Sequence, residues 1–323
     1  MNKLSIIMYH YVRDLKNTRF PEIKGLDSSH FMEQIKYIQR HYNVVTMEQV
    51  IGCIRSGSHL PSKAALLTFD DAYIDHYVTV FPILNRFNLQ GSFFPPVKAI
   101  TTNTVLDVNK IHFILASVED KNELLKEIKV MIESYKKEYD LKSFEYYFEK
   151  LAVKDRFDRE EVIFIKRLLQ VELVEELRLK MTHKLFAKYV GVSETAFSKE
   201  LYMNSEQLSH MVRSGMHVGS HGYNHYWWDR LDKTTLEQEI DLSLEFLRGI
   251  GVDLNNWTAC YPYGSFDLKS EKILGDKNCQ LAVTTQVDVA KPDLNNCYKL
   301  PRLDTNDIPK NSEEDTNEWY AIG

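Results

Sequence analysis

Cysteine is scarce in this chain. Its four residues (Cys53, Cys260, Cys279 and Cys297) are spread over 323 positions with no Cys-x-x-Cys pair. That excludes a disulfide framework and a thiolate zinc module, and it suits reduced intracellular thiols, so the cytoplasm is the expected compartment. No apolar run approaches the roughly 18 residues that span a bilayer, so no transmembrane helix is expected. Met1-Asn2-Lys3 followed by Leu4 to Val12 imitates a weak signal peptide, but His10 interrupts it and no small-residue cleavage site follows. A buried first strand is the expectation there. Positive charge is not in excess: a formal net charge of −6 excludes a protein that binds nucleic acid non-specifically. Internal repeats and low-complexity tracts are also missing. What is present is an ordinary globular mixture, 44% hydrophobic and 27% charged, long enough for one large domain or a domain with an appended piece.

Short apolar runs and amphipathic segments take turns over the first hundred residues. Strands are expected at Leu4 to Tyr9, Ala64 to Phe69 and Gly91 to Phe94, and helices over Phe31 to Tyr42 and Tyr73 to Phe87. Thr46-x-x-Gln49 is a capping box opening another helix. Such alternation is the pattern of a parallel sheet or barrel. It stops near Ile100 and resumes near Asn204. Between them the period is helical, with a stripe at Leu124, Ile128, Ile132, Tyr135 and Tyr139. A second stripe, Val162, Ile165, Leu169, Leu173 and Leu177, drifts in phase. Residues 101–203 are therefore read as an inserted helical subdomain, either a plain embellishment or a lid. Thr234-x-x-Glu237 should open a helix to Ile250. Residues 306–323, rich in Asp, Glu and Asn, read as a polar surface tail.

Two carboxylates, Asp70 and Asp71, end the apolar run Leu66 to Phe69, and two imidazoles, His221 and His225, lie four residues apart far downstream. One Asp with a His-x-x-x-His pair offers three N/O ligands, which suits a catalytic divalent metal that keeps a position open for water. The other Asp is then free to move protons. Singly, each feature has a plainer reading: the Asp pair as a helix N-cap, the histidines as loop residues. Their shared placement after strand ends, with the Tyr261-Pro262-Tyr263-Gly264 turn after another, favours one common mouth.

Thr68-Phe69-Asp70-Asp71, His221-x-x-x-His225 and Tyr261-Pro262-Tyr263-Gly264, in that order, resemble the first three motifs of the polysaccharide deacetylase family (NodB-homology, carbohydrate esterase family 4). Met8-Tyr9-His10 resembles the start of its poly-N-acetylglucosamine deacetylase branch. The resemblance covers residues 1–100 and 204–305. It implies an α/β fold, an irregular (β/α)7-type barrel carrying the helical subdomain. It also implies one divalent metal ion on Asp71, His221 and His225, with Zn²⁺ the leading choice and Co²⁺, Ni²⁺ and Mn²⁺ compatible with mixed N/O ligands. Asp70 matches the base that deprotonates a metal-activated water, and the Tyr263 backbone N–H matches the oxyanion donor. The implied partner is an N-acetylated sugar or glycan precursor.

The chain departs from that pattern in three places. No Leu-x-His follows Thr285, so His10 is the candidate general acid, against a packed-core reading. Cys260 stands where the Arg that orients the base is usual, and Arg302 is the candidate to reach Asp70 instead. Gly222 replaces the usual Ser or Thr. Tyr263, Trp228 and Arg302 are the candidate substrate-side residues, with aromatic faces suited to stacking on sugar rings. Cys260 has no His beside it in sequence and reads as inert rather than nucleophilic. Three functions follow: an N-deacetylase of amino sugars; an O-acetyl esterase or non-sugar amidase with the same metal; or an inactive carbohydrate-binding protein, which the missing Arg and late His suggest.

Overall fold

Leu4–Tyr9 (β1) and Ala64–Asp70 (β2) are buried at every position. Neither alternates apolar with polar residues, because strands covered on both faces need not. In the computed structural model, which describes residues 2–154 and 158–323, they pair in parallel from Leu4↔Ala64 to Tyr9↔Phe69. Gly91–Phe94 (β3) joins β2, and His217–Val218 (β4) joins β3. A parallel bridge from Ser220 to Ala259 leads into Ala259–Cys260 (β5), which pairs with Ala282–Val283 (β6). Val283 then bridges Leu300, and Leu303–Asp304 (β7) returns to β1 at Ile7↔Leu303. The parallel strands close on themselves as the expected (β/α)7-type barrel. Among the described residues no helix is long and apolar enough to cross a membrane.

Two compact units are present. One comprises the chain through Asp14, Gly25–Thr104 and Ser198–Gly323; it holds the barrel. The other comprises Leu15–Lys24 and Val105–Phe197, and it is helical. Residues 15–24, expected with the barrel, instead belong to the helical unit, where the Phe20 ring meets Phe113 at 5.0 Å. The segment 306–323 is not a loose tail: Ile308 is buried, and Trp319 and Tyr320, on the short helix Glu318–Ile322, pack on the barrel core. Its polar composition hid three apolar anchors.

Local rules account for most helix ends. The capping boxes at Thr46/Gln49 and Asn204/Gln207 form with both hydrogen bonds. The box expected at Thr234 does not; Asp232 caps that helix, Lys233–Gly249, through Thr235 N–H. The helix expected from Tyr73 begins at Ile74, and its stretch His76–Val80 is π-wound. Pro82 follows at once, and lacking an N–H it cannot complete the i→i−4 ladder there. Within the helical unit a second π turn, Leu168–Glu172, adds one residue to the winding. That turn, and the break at Leu173 and Val174 before the next helix, Glu175–Tyr189, explain why the Val162-to-Leu177 stripe drifts.

Candidate active site

β2 delivers Asp70 fully buried at its carboxyl end, and the chain then turns through two left-handed residues, Asp71 (φ 73°) and Ala72 (φ 54°). Left-handed backbone costs a non-glycine residue energy, and it collects at sites where geometry is over-determined. Here the twist makes both neighbouring carboxylates usable. Asp71 Oδ2 accepts a hydrogen bond from the Tyr73 hydroxyl at 2.6 Å, which fixes the carboxylate plane. Without a cation, burial works against ionising Asp71, but His221 and His225 imidazoles that bear a proton toward it hold its carboxyl well below the usual range.

His221 and His225 follow β4. The Nδ1–H of His221 donates to the Cys260 carbonyl at 2.7 Å, and since a carbonyl only accepts, Nε2 is the nitrogen that carries the lone pair in the neutral ring. That Nε2 lies 3.5 Å from Asp71 Oδ1; His225 Nε2 lies 3.4 Å from the same oxygen and 3.2 Å from His221 Nε2. Asp71 Oδ1 is buried with no hydrogen-bond donor of its own. Three electron-rich atoms pointed at one another repel unless a proton or cation sits among them. Their separations are short enough for one divalent cation to touch all three atoms. The donor set therefore fits a divalent metal. Asp70, His221 and Cys260 also come within mutual reach, but the guanidinium of Arg302 occupies the carboxylate in that second cluster.

Arg302 arrives from just before β7. Its Nη1 donates to Asp70 Oδ1 at 2.9 Å and its Nη2 to Oδ2 at 2.7 Å. Nε donates to the Thr284 carbonyl at 2.7 Å, and Nη1 also meets Thr68 Oγ1 at 3.2 Å. Burial alone would raise the Asp70 carboxyl, yet the charge and hydrogen bonds of Arg302 hold it at about 2. Cys260, with its thiol pushed up by burial, sits between them, Sγ 3.4 Å from Asp70 Oδ2 and 3.2 Å from Arg302 Nη2. Arg302 was also expected on the substrate side. It is wholly buried, with the Asp70 carboxylate as its charged partner.

His10 Nε2 stands 3.8 Å from Asp70 Oδ2, with 41% of its side chain exposed, so it is not a packed-core histidine. Its backbone carbonyl is held by the Nε2–H of buried His76 at 2.8 Å. Tyr263 has φ 59°, and its ring meets His225 at 4.6 Å. The turn needs glycine next: at Gly264 (φ 68°) a Cβ would fall 2.1 Å from Thr285 Oγ1. Trp228, expected to face substrate, is wholly buried in a core cluster with Leu236, Ile240 and Tyr261. Its half-buried neighbour Trp227 takes the outward place, stacked on Tyr263 at 4.4 Å and 4°.

Tyr73, His76, Trp227 and Glu239 carry the site without appearing in any motif. Glu239 had a readable signal: a carboxylate in step with Leu236, Ile240, Ser243 and Leu247, on the buried stripe of its helix. Trp227 is one of four aromatic residues, with Tyr223, Tyr226 and Trp228, that crowd the His pair in sequence; Tyr73 and His76 had no signal.

A family profile described as "Polysaccharide deacetylase" matches residues 171–282, the stretch that carries both histidines and the Tyr263 turn. Over that stretch the chain matches the polysaccharide deacetylase family. The poly-β-1,6-N-acetyl-D-glucosamine N-deacetylase of Escherichia coli (strain K12) is 34% identical over 96 residues, 29% of this chain. That match spans only 14% of the E. coli relative. Among solved structures, the Streptococcus pyogenes deacetylase PplD in complex with acetate superposes with a TM-score of 0.56 at 17% identity, covering 96% of each chain. IcaB from Ammonifex degensii gives a TM-score of 0.52 at 17% identity, covering 94% of this chain and 91% of its own. These likenesses establish the barrel shared by such deacetylases.

Proposed function

We propose that this chain hydrolyses the N-acetyl group of an amino sugar in a polysaccharide or glycan precursor, using a divalent metal, Zn²⁺ first, on Asp71, His221 and His225. The observation that carries the reading is the convergence of those three ligand atoms, all within 4.8 Å of one another, beside an ionised carboxylate clamped by Arg302. A cation held there supplies a Lewis acid for the acetyl carbonyl and acidifies the attacking water, as a base as weak as Asp70 requires. Asp70 accepts the water's proton, and Arg302 holds it ionised and oriented. His10, on the open side, gives a proton to the departing amine, which would otherwise leave as an unstable anion. The Tyr263 main chain is the candidate oxyanion donor. Trp227 and Tyr263 together present a flat apolar wall beside His225, suited to the face of a sugar ring.

An Arg missing at position 260 argued for an inactive protein. With Arg302 on Asp70, that argument loses its force. The test is an acetate-release screen over N-acetylated sugars, UDP-sugars and glycolipid precursors, with and without chelator, and with Asp70→Asn as the blank. Chelator-sensitive acetate together with a free amine supports the reading; a free hydroxyl in place of the amine makes the protein an esterase. Sugar binding without acetate release, metal present in excess, refutes hydrolysis.

A further inference from the structure

The loop between the two histidines is held from below by a buried carboxylate. Glu239, on the helix Lys233–Gly249 and only 2% exposed, accepts the backbone N–H of Tyr223 at 3.1 Å and of Asn224 at 2.8 Å on Oε2. Its Oε1 accepts from Asn224 Nδ2. Three donors from two consecutive residues thus satisfy one carboxylate, with no Lys or Arg in hydrogen-bond contact among the described residues. A buried charge is tolerated on such terms when it fixes something that an apolar residue would leave loose.

What it fixes is the spacing of the imidazoles. Gly222 (φ 73°) and His225 (φ 63°) are both left-handed, so the segment departs from any regular element; the carbonyls of Gly222 and Tyr223 accept from Val97 and Lys98 N–H, and Glu239 takes the N–H groups that follow. A Cβ at Gly222 would lie 3.2 Å from Trp228 Nε1 and 3.3 Å from Glu239 Oε2. The carboxylate and the indole therefore occupy the space that a side chain at 222 would enter. We infer that Glu239 is a positioning residue for the metal centre: by anchoring residues 223 and 224 it keeps both Nε2 atoms aimed at Asp71, and so sets cation affinity. This rests on the metal reading above.

The test is calorimetric titration of the chelator-stripped protein with Zn²⁺, alongside thermal unfolding of the same cation-free samples. Partners that orient metal ligands typically set affinity by about 10–100-fold. Glu239→Gln, which keeps one acceptor oxygen, should lose affinity toward the lower end of that range, and Glu239→Leu toward the upper end. Asn224→Ala, which spares the backbone anchors, should lose the least. Should Glu239→Leu not fold, the Gln variant decides. A Glu239→Gln protein that folds and titrates like the wild type overturns the inference while leaving the metal reading intact. A wild type that takes up no cation removes both. Lower unfolding temperature with unchanged affinity would make Glu239 a merely structural residue.

Discussion

Arg302 and Asp70 form a two-point clamp, Nη1 to Oδ1 at 2.9 Å and Nη2 to Oδ2 at 2.7 Å, with both side chains out of contact with solvent. Removing one partner of such a pair strands a buried charge, which costs about 3–5 kcal/mol. Arg302→Met should therefore destabilise the protein by that order in urea unfolding, and Arg302→Met with Asp70→Asn should regain part of the loss. If the double variant is as unstable as the sum of the two single ones, the clamp is not the source. Arg302→Lys keeps the charge but not the fork, so its turnover should fall although the fold survives.

Cation binding should be visible apart from activity. A ligand that binds only the folded state stabilises it by RT ln(1 + [L]/Kd), about 2.7 kcal/mol at a hundredfold excess over Kd. Zn²⁺ should raise the unfolding temperature of the stripped wild type and fail to raise that of Asp71→Asn or His225→Gln. An equal rise in all three would place the ion elsewhere.

The role of His10 separates on the leaving group. His10→Gln should lose about 10²–10⁴ in kcat on N-acetyl sugars, whose amine needs a proton to depart. Aryl acetates, whose phenolate leaves unaided, should be cleaved nearly as fast as by the wild type. Equal losses on both substrates would assign His10 to something other than acid catalysis.

His76 should make the cation-free protein acid-sensitive. Burial lowers its imidazole from the ordinary 6.5 to about 4, against the His10 carbonyl, which favours the proton. The unfolded chain therefore takes up the proton first. The stabilisation is whole above pH 6.5, drains away as pH falls, and is gone near pH 4, a loss on the order of 3 kcal/mol. Urea midpoints at pH 7 and pH 4.5 should converge for His76→Asn. If its decline matches that of the wild type, other groups carry the effect.

How much of this was written in the chain depends on where each residue sits. Asp70, Asp71, His221 and His225 stand out because reactive types follow apolar strands at short spacings. Arg302 was reachable only by asking what could replace the Arg missing at Cys260. Trp227 and Trp228 are adjacent and of one type, so nothing local says which turns inward; the core cluster around Tyr261 decides it. The π turns at His76–Val80 and Leu168–Glu172 add a residue without changing composition, so periodicity could register only a drift. His76 acts through the carbonyl of His10, 66 residues away, which no window of sequence contains; Tyr73 lies two residues from the Asp71 it bonds.

The barrel is unevenly sewn. β1 and β2 share six paired positions, and β2 delivers the carboxylates, whereas among the described residues the stretch bearing the imidazoles meets β5 through the single Ser220–Ala259 bridge. An ion gripped by Asp71, His221 and His225 would cross-link the firm arc to the thin one. Stripping that ion should then loosen the thin arc first, and limited proteolysis of the stripped protein should cut within residues 217–225 before the rest of the barrel.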